Sequence, residues 1–231
     1  MDDSTKAPEE IPPTVTSLQD LTIIEAWDAE ANTPKYITFY LVTPDDKDVT
    51  LRLAPDHLDD IWVYVKRPGL NNYETTMRGT DFIPRELLAE TLTMEKVSQT
   101  PHPDIVGYYG CRVRRGRIAS MVFERLDQTL QQYSSTPEFE KLDKPKFLEA
   151  LQSAVAYIHS LDLAHNDVNP HNIMVKDGMP VLIDFGSCQP VGQRLQSLGT
   201  EGWYEELFFT SEKKHDTYSL NKLREWIHDP E

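Results

Sequence analysis

Residues 165–186 read H-N-D-V-N-P-H-N-I-M-V-K-D-G-M-P-V-L-I-D-F-G, two acidic clusters separated by two apolar runs. Asp167 and Asp184 stand seventeen positions apart. Between them, residues 173–175 and 181–183 flank the dipeptide Asp177-Gly178. A D-G pair between two apolar runs signals a two-residue hairpin, because the tight turn needs positive φ at both central positions. A hairpin presents both of its ends at one place, so Asp167 and Asp184 are expected to share a site. Asp167 offers a carboxylate that can accept a hydroxyl proton. Asn172, with an amide oxygen, and Asp184, with a carboxylate, supply the hard oxygen atoms that magnesium takes. A D-F-G or an H-x-D alone carries little information, whereas their order and spacing around a hairpin carry much.

The rest of the composition narrows the partners. The chain has 231 residues, a net charge of -15 and a pI of about 4.8. At this length about 70% of the unfolded surface can be buried, so a sizeable core is available. An acidic chain repels phosphate backbones and anionic headgroups, which argues against nucleic acid and membrane partners. The first sixty residues carry fourteen Asp or Glu against four Lys or Arg. Cys111 and Cys188 are the only cysteines and show no C-x-x-C spacing, which fits a reducing compartment and implies neither disulfide framework nor zinc. The first residues lack a basic n-region with an apolar stretch, and nowhere do eighteen apolar residues run together. The expectation is an intracellular protein, cytoplasmic or nuclear, without signal peptide or transmembrane segment.

Along the chain, residues 1–17 are charged and proline-bearing, and they read as a disordered acidic tail. Residues 21–65 hold four short segments rich in β-branched and aromatic residues (L-T-I-I-E-A-W, Y-I-T-F-Y-L-V, V-T-L-R-L and I-W-V-Y-V-K), which predict an antiparallel sheet. A helix is expected over residues 84–98, with Leu87, Leu88, Leu92 or Thr91, Met94 and Val97 near a 3.6 period. Two more strands follow, residues 105–113 and 117–124, around an Arg-rich turn at Gly116. Phe147, Leu148, Leu151, Ala154, Val155 and Ile158 then mark a helix that Asp143 could cap. A last helix is expected over 218–227. The fold class expected is α+β, with residues 18–125 forming a sheet lobe with one helix and residues 126–231 a mainly helical lobe expected to be cut short at its C-terminal end.

These phrases resemble the eukaryotic protein kinases over residues 62–226, and more specifically small kinase-like proteins familiar from fungi. G-Y-Y-G-C-R-V-R-R-G-R-I, A-H-N-D-V-N-P-H-N-I-M-V and I-D-F-G-S-C carry the likeness. The resemblance implies a two-lobed kinase fold using ATP and magnesium. It implies that Asp167 is catalytic, that Asn172 and Asp184 hold the metal, and that Lys66 in V-Y-V-K grips the nucleotide phosphates with Glu90, in preference to Glu95, as its helix partner. Phe123 would stand at the back of the nucleotide pocket, Glu124 and Leu126 would offer backbone groups to adenine, and Met174 would form the floor. His165 and Phe185 would stack with Met94 and Tyr108. G-T-E-G-W-Y-E-E at residues 199–206 resembles the end of an activation segment, and Asp216 matches a residue that anchors the catalytic loop.

The chain also departs from that family. No glycine precedes Gly69, so a G-x-G-x-x-G loop ahead of Lys66 is absent. Tyr64 replaces the small alanine that roofs adenine. Asn169 stands where a lysine is usual, Asn166 where an arginine is usual, and His171 where a glutamate is common. Without an arginine at 166, a phosphate on the activation segment finds no cation beside the catalytic loop. Three readings follow: a protein kinase acting on a protein hydroxyl, Ser or Thr in preference to Tyr; a pseudokinase serving as a binding or scaffold module; and a small-molecule kinase.

Overall fold

The computed structural model describes residues 22–28, 33–40, 51–55, 58, 62–67, 82–114, 117–195 and 197–230. The acidic tail of residues 1–17 and the centre of the Arg-rich turn, residues 115 and 116, lie outside them. The chain divides into two units, Met1–Leu41 and Val42–Glu231.

The first unit holds β1 (Thr22–Asp28) and β2 (Thr33–Tyr40), which pair antiparallel with Thr22 opposite Tyr40 and Asp28 opposite Thr33. The register slips between Ala26 and Trp27, the latter facing Pro34. Proline has no N–H to give to a ladder, and a bulge accommodates it.

In the second unit β3 (Val63–Lys66), β4 (Tyr108–Arg114) and β5 (Arg117–Glu124) form an antiparallel sheet in the order β3-β5-β4. Within the stretch expected to form an antiparallel sheet, residues 21–65, β1 and β2 hydrogen-bond to each other and β3 pairs with β5. The run V-T-L-R-L departs from the expected antiparallel pairing. Its described part makes an isolated parallel bridge, Leu53 with Cys111, on the edge of β4. Alternation along β3 buries Val63 and leaves Tyr64 54% exposed. Lys66 lies on the Tyr64 side of the strand, because side chains two apart share a face. On the other side Ala54, Val63 and Val122 form a small core with Leu58 and Val65.

Helix α1 (Phe82–Val97) buries Leu87, Glu90, Thr91, Met94 and Val97, a stripe at three- and four-residue spacing. Of the two candidates Leu92 and Thr91, it is Thr91 that lies in the core, its hydroxyl donating to Leu87 O at 2.7 Å. Buried hydroxyls need such partners.

After the short α2 (Leu130–Tyr133), closed by a Thr129–Gln132 capping box, comes α3 (Lys144–Ser160). The Asp143 side chain accepts from Lys146 N at 3.1 Å and Pro145 occupies the first turn, where its missing N–H costs nothing. Phe147, Leu151, Ala154, Val155 and Ile158 form its buried face. Strand β6 (Leu163–Ala164) follows, then the hairpin of β7 (Ile173–Lys176) and β8 (Met179–Leu182), and β9 (Gln189–Pro190), which pairs with β6. The hairpin turn has φ of 52° at Asp177 and 74° at Gly178, the two positive values the D-G pair promised. Helix α4 (Lys213–Trp226) begins earlier than its apolar period suggested. Its first buried side chains are polar, His215 and Asp216, and carry no hydrophobic signal.

Candidate active site

The segment of residues 165–166 is suspended from α4. Asp216 is fully buried, and its carboxylate accepts from the backbone N–H of His165 at 2.8 Å and of Asn166 at 2.7 Å, while His159 Nε2 lies 2.8 Å from Oδ2. A buried carboxylate is tolerable only when donors surround it in this way. Asn166 turns through the left-handed region, φ 63°, where Asn is one of the few side chains accepted. Its amide nitrogen lies within hydrogen-bond reach of Ala164 O, Ser187 O and Ser211 Oγ at 2.8, 3.0 and 3.0 Å. A neutral amide thus ties the loop to Ser187 and to Ser211, ahead of α4.

That turn delivers Asp167 half-exposed. Its Oδ2 accepts from Asn172 Nδ2 at 2.8 Å, and its Oδ1 accepts from Asn169 Nδ2 at 2.9 Å and Thr200 N at 2.7 Å. Asn172 Nδ2 also reaches Asp167 O at 3.0 Å. With its nitrogen committed there, the Asn172 oxygen is left as an acceptor. The hairpin returns the chain to Asp184, which also sits in the left-handed region, φ 56°. Asp184 Oδ1 accepts from Gly186 N at 3.2 Å and from Lys66 Nζ at 2.8 Å. Lys66 Nζ is at the same time 2.7 Å from Glu90 Oε1. The sheet, α1 and the hairpin therefore meet at one ammonium group.

Three charges this close shift one another. Burial disfavours the Lys66 ammonium, yet the Glu90 and Asp184 carboxylates together hold it above the ordinary lysine range. Burial lifts the Glu90 carboxyl above its usual range against the pull of Lys66. Burial would lift Asp184 too, but Lys66 and the Gly186 N–H bring it below the usual value, so it is ionised at neutral pH. Glu95, the alternative helix acid, points elsewhere: it accepts from Arg52 N at 2.7 Å and from Tyr108 OH at 3.1 Å.

Phe123 is buried opposite Tyr64, with its ring 5.5 Å from that of Tyr108. Glu124 N donates to Gly107 O at 2.8 Å, and the Glu124 carboxylate accepts from Gly107 N at 2.8 Å and Lys176 Nζ at 2.6 Å. Its N–H is thus spent within the fold. Leu126 and Met174 are half-buried, Met174 bridging to Thr129. His165 meets the Phe185 ring edge-on at 5.1 Å, and Met94 and Tyr108 are buried.

Thr200 and Gly199 are site residues that sequence reasoning did not single out as such. Thr200 Oγ1 accepts from Asn169 Nδ2 at 3.1 Å, so residue 169 links Asp167 to Thr200. A Cβ on Gly199 would lie 2.7 Å from Asn166 O, and only glycine permits that approach. The G-T pair in G-T-E-G-W-Y-E-E was the available signal.

The residues fit magnesium. Asn172 and Asp184 each retain an oxygen not engaged by the donors described above, and magnesium is commonly held by one or two protein oxygens with substrate phosphates and water completing its shell.

The family described as protein kinase domain matches residues 65–219, about two thirds of the chain. A human protein, "Serine/threonine-protein kinase/endoribonuclease IRE2", is 33% identical over 117 residues, covering 44% of this chain and 12% of its own length. "Serine/threonine-protein kinase/endoribonuclease IRE1" of Hypocrea jecorina is 31% identical over 161 residues, covering 61% of this chain and 12% of its own length. "MAP kinase kinase kinase SSK2" of Saccharomyces cerevisiae is 28% identical over 141 residues, covering 56% and 9%. The chain thus spans a small part of the curated relatives it matches.

Proposed function

The chain belongs to the protein kinase domain family, and from that premise we propose that it is an ATP-dependent phosphotransferase that passes the γ-phosphoryl group to a Ser or Thr hydroxyl of a protein. The observation that carries this reading is Lys66, held between Glu90 and Asp184 at 2.7 and 2.8 Å while Asp167 is fixed by three donors nearby. In the reaction Lys66 positions the phosphates and Asp167 orients the acceptor hydroxyl and receives its proton as the new P–O bond forms and the bond to the leaving ADP oxygen breaks. Asn172 and Asp184 would hold magnesium, which neutralises charge on the phosphates when bound. Asn169 donates to Asp167 and Thr200, where a lysine would otherwise supply a positive charge to the transferring group. Transition-state stabilisation is therefore weaker, and turnover is expected at the slow end of the kinase range of about 1–100 per second.

One feature favours a second reading, a pseudokinase that binds partners. Tyr64 is large, 54% exposed and on the Lys66 side of β3, in the place of the small roof residue. Thermal melting with and without magnesium ATP separates the two: saturation at 100 times the dissociation constant adds about 2.7 kcal/mol. A clear rise in melting temperature supports the enzyme, and an unchanged one at millimolar ATP supports the binding module. No helix among the described residues is long and apolar enough to cross a membrane.

A further inference from the structure

Residues 51–54 lie along β4, the last strand in the order β3-β5-β4. Cys111 N donates to Arg52 O at 2.8 Å and Ala54 N to Cys111 O at 2.9 Å, so the segment adds a short parallel rung to β4. That approach requires a glycine opposite. A Cβ on Gly110, whose φ is 125°, would stand 2.5 Å from Arg52 O and 2.8 Å from Ala54 N. Beyond the rung, Ala54 and Leu58 pack against Val63 and Val122, and Arg112 donates to Leu58 O at 3.2 Å.

The same segment grips α1. Arg52 N donates to Glu95 Oε1 at 2.7 Å, and the same oxygen accepts from Tyr108 OH at 3.1 Å. The Arg52 guanidinium reaches Tyr108 O at 3.2 Å and Ser98 O at 3.4 Å, just past the end of α1, and lies 5.9 Å from the centre of the Tyr108 ring. Glu95 is about one and a half turns beyond Glu90 on the same helix. A helix moves as a unit, so whatever fixes Glu95 against the sheet also fixes the distance from Glu90 to Lys66.

We propose that residues 51–54 form a strap that sets the position of α1, with Arg52 and Glu95 as positioning residues for the Lys66–Glu90 pair. What the pair does rests on the phosphotransfer reading; the strap itself does not. Its anchors are a charge-assisted bond to a carboxylate and a backbone rung that a single methyl group would displace.

The test uses the full chain carrying Arg52→Ala, Glu95→Ala, Glu95→Gln or Gly110→Ala, with amide hydrogen exchange and magnesium ADP affinity as readouts. Glu95→Ala and Gly110→Ala should speed exchange across residues 86–97 by about tenfold, equivalent to roughly 1.4 kcal/mol of local opening, and Arg52→Ala, which keeps the backbone donor to Glu95 but loses the guanidinium contacts to Tyr108 O and Ser98 O, should speed it by a smaller factor, while α3 stays at the parent level. ADP binding should weaken in the same variants. Glu95→Gln, which keeps an acceptor oxygen but not the charge, should lose clearly less protection than Glu95→Ala. Parent-level protection of α1 in both Arg52→Ala and Glu95→Ala overturns the proposal, as does equal loss in Glu95→Gln and Glu95→Ala. A parent protein that binds no nucleotide would overturn the phosphotransfer reading, and the exchange comparison would still decide the strap.

Discussion

The backbone N–H of Thr200 donates to Asp167 Oδ1 at 2.7 Å, so the candidate activation segment and the candidate catalytic carboxylate are held as one piece. The contact exists because Gly199 lets the segment run against Asn166 O. Gly199→Ala should therefore push the segment away and slow transfer by about a hundredfold, some 2.7 kcal/mol in the barrier, with little loss of nucleotide affinity. Steady-state kinetics with ATP varied check this, and an unchanged kcat would mean the segment can yield at no cost.

Thr200 itself separates structural from regulatory roles. Its hydroxyl accepts from Asn169, and the Asn166 amide, not an arginine, faces Ser187 O. Phosphatase treatment should leave activity unchanged, because no phosphate-binding arginine stands at residue 166. Thr200→Ser should retain activity and Thr200→Glu should abolish it by setting a second carboxylate beside Asp167. A phosphatase-induced loss of about tenfold or more would contradict the account.

Asp216 provides a stability test. Asp216→Ala leaves the buried N–H groups of His165 and Asn166 without acceptors, at about 1–3 kcal/mol each. Denaturant unfolding should show a total loss of about 3–5 kcal/mol, comparable to breaking other buried charged networks. A loss below about 1 kcal/mol would show that the loop finds another anchor.

Tyr64→Ala should tighten ATP binding, since it restores a small side chain on the Lys66 side of β3. Equal affinities by calorimetry would place the adenine elsewhere.

The hairpin between Asp167 and Asp184 was legible because a D-G turn demands a particular backbone, and the faces of α1 and α3 were legible because burial follows a 3.6-residue period. The start of α4 was not, since His215 and Asp216 are buried for hydrogen bonding and leave no apolar trace. Arg52 was equally silent: its bond to Glu95 runs from a backbone N–H, which every residue but proline possesses. The run V-T-L-R-L, residues 49–53, read as a strand from its composition, but pairing partners are a tertiary property, and the glycine opposite was interpretable only once the two segments were adjacent.

The central claim concerns Asp167, and the direct measurement is phosphate transfer from γ-labelled ATP to a general protein substrate by the parent and by Asp167→Asn, alongside the nucleotide affinity of each. Asp167 touches Asn169, Asn172 and Thr200 rather than Lys66, so its loss should spare ATP binding and abolish transfer, whereas Asp184→Asn should remove magnesium-dependent binding too. Labelling by Asp167→Asn at the parent rate would contradict the account and assign the activity to another group.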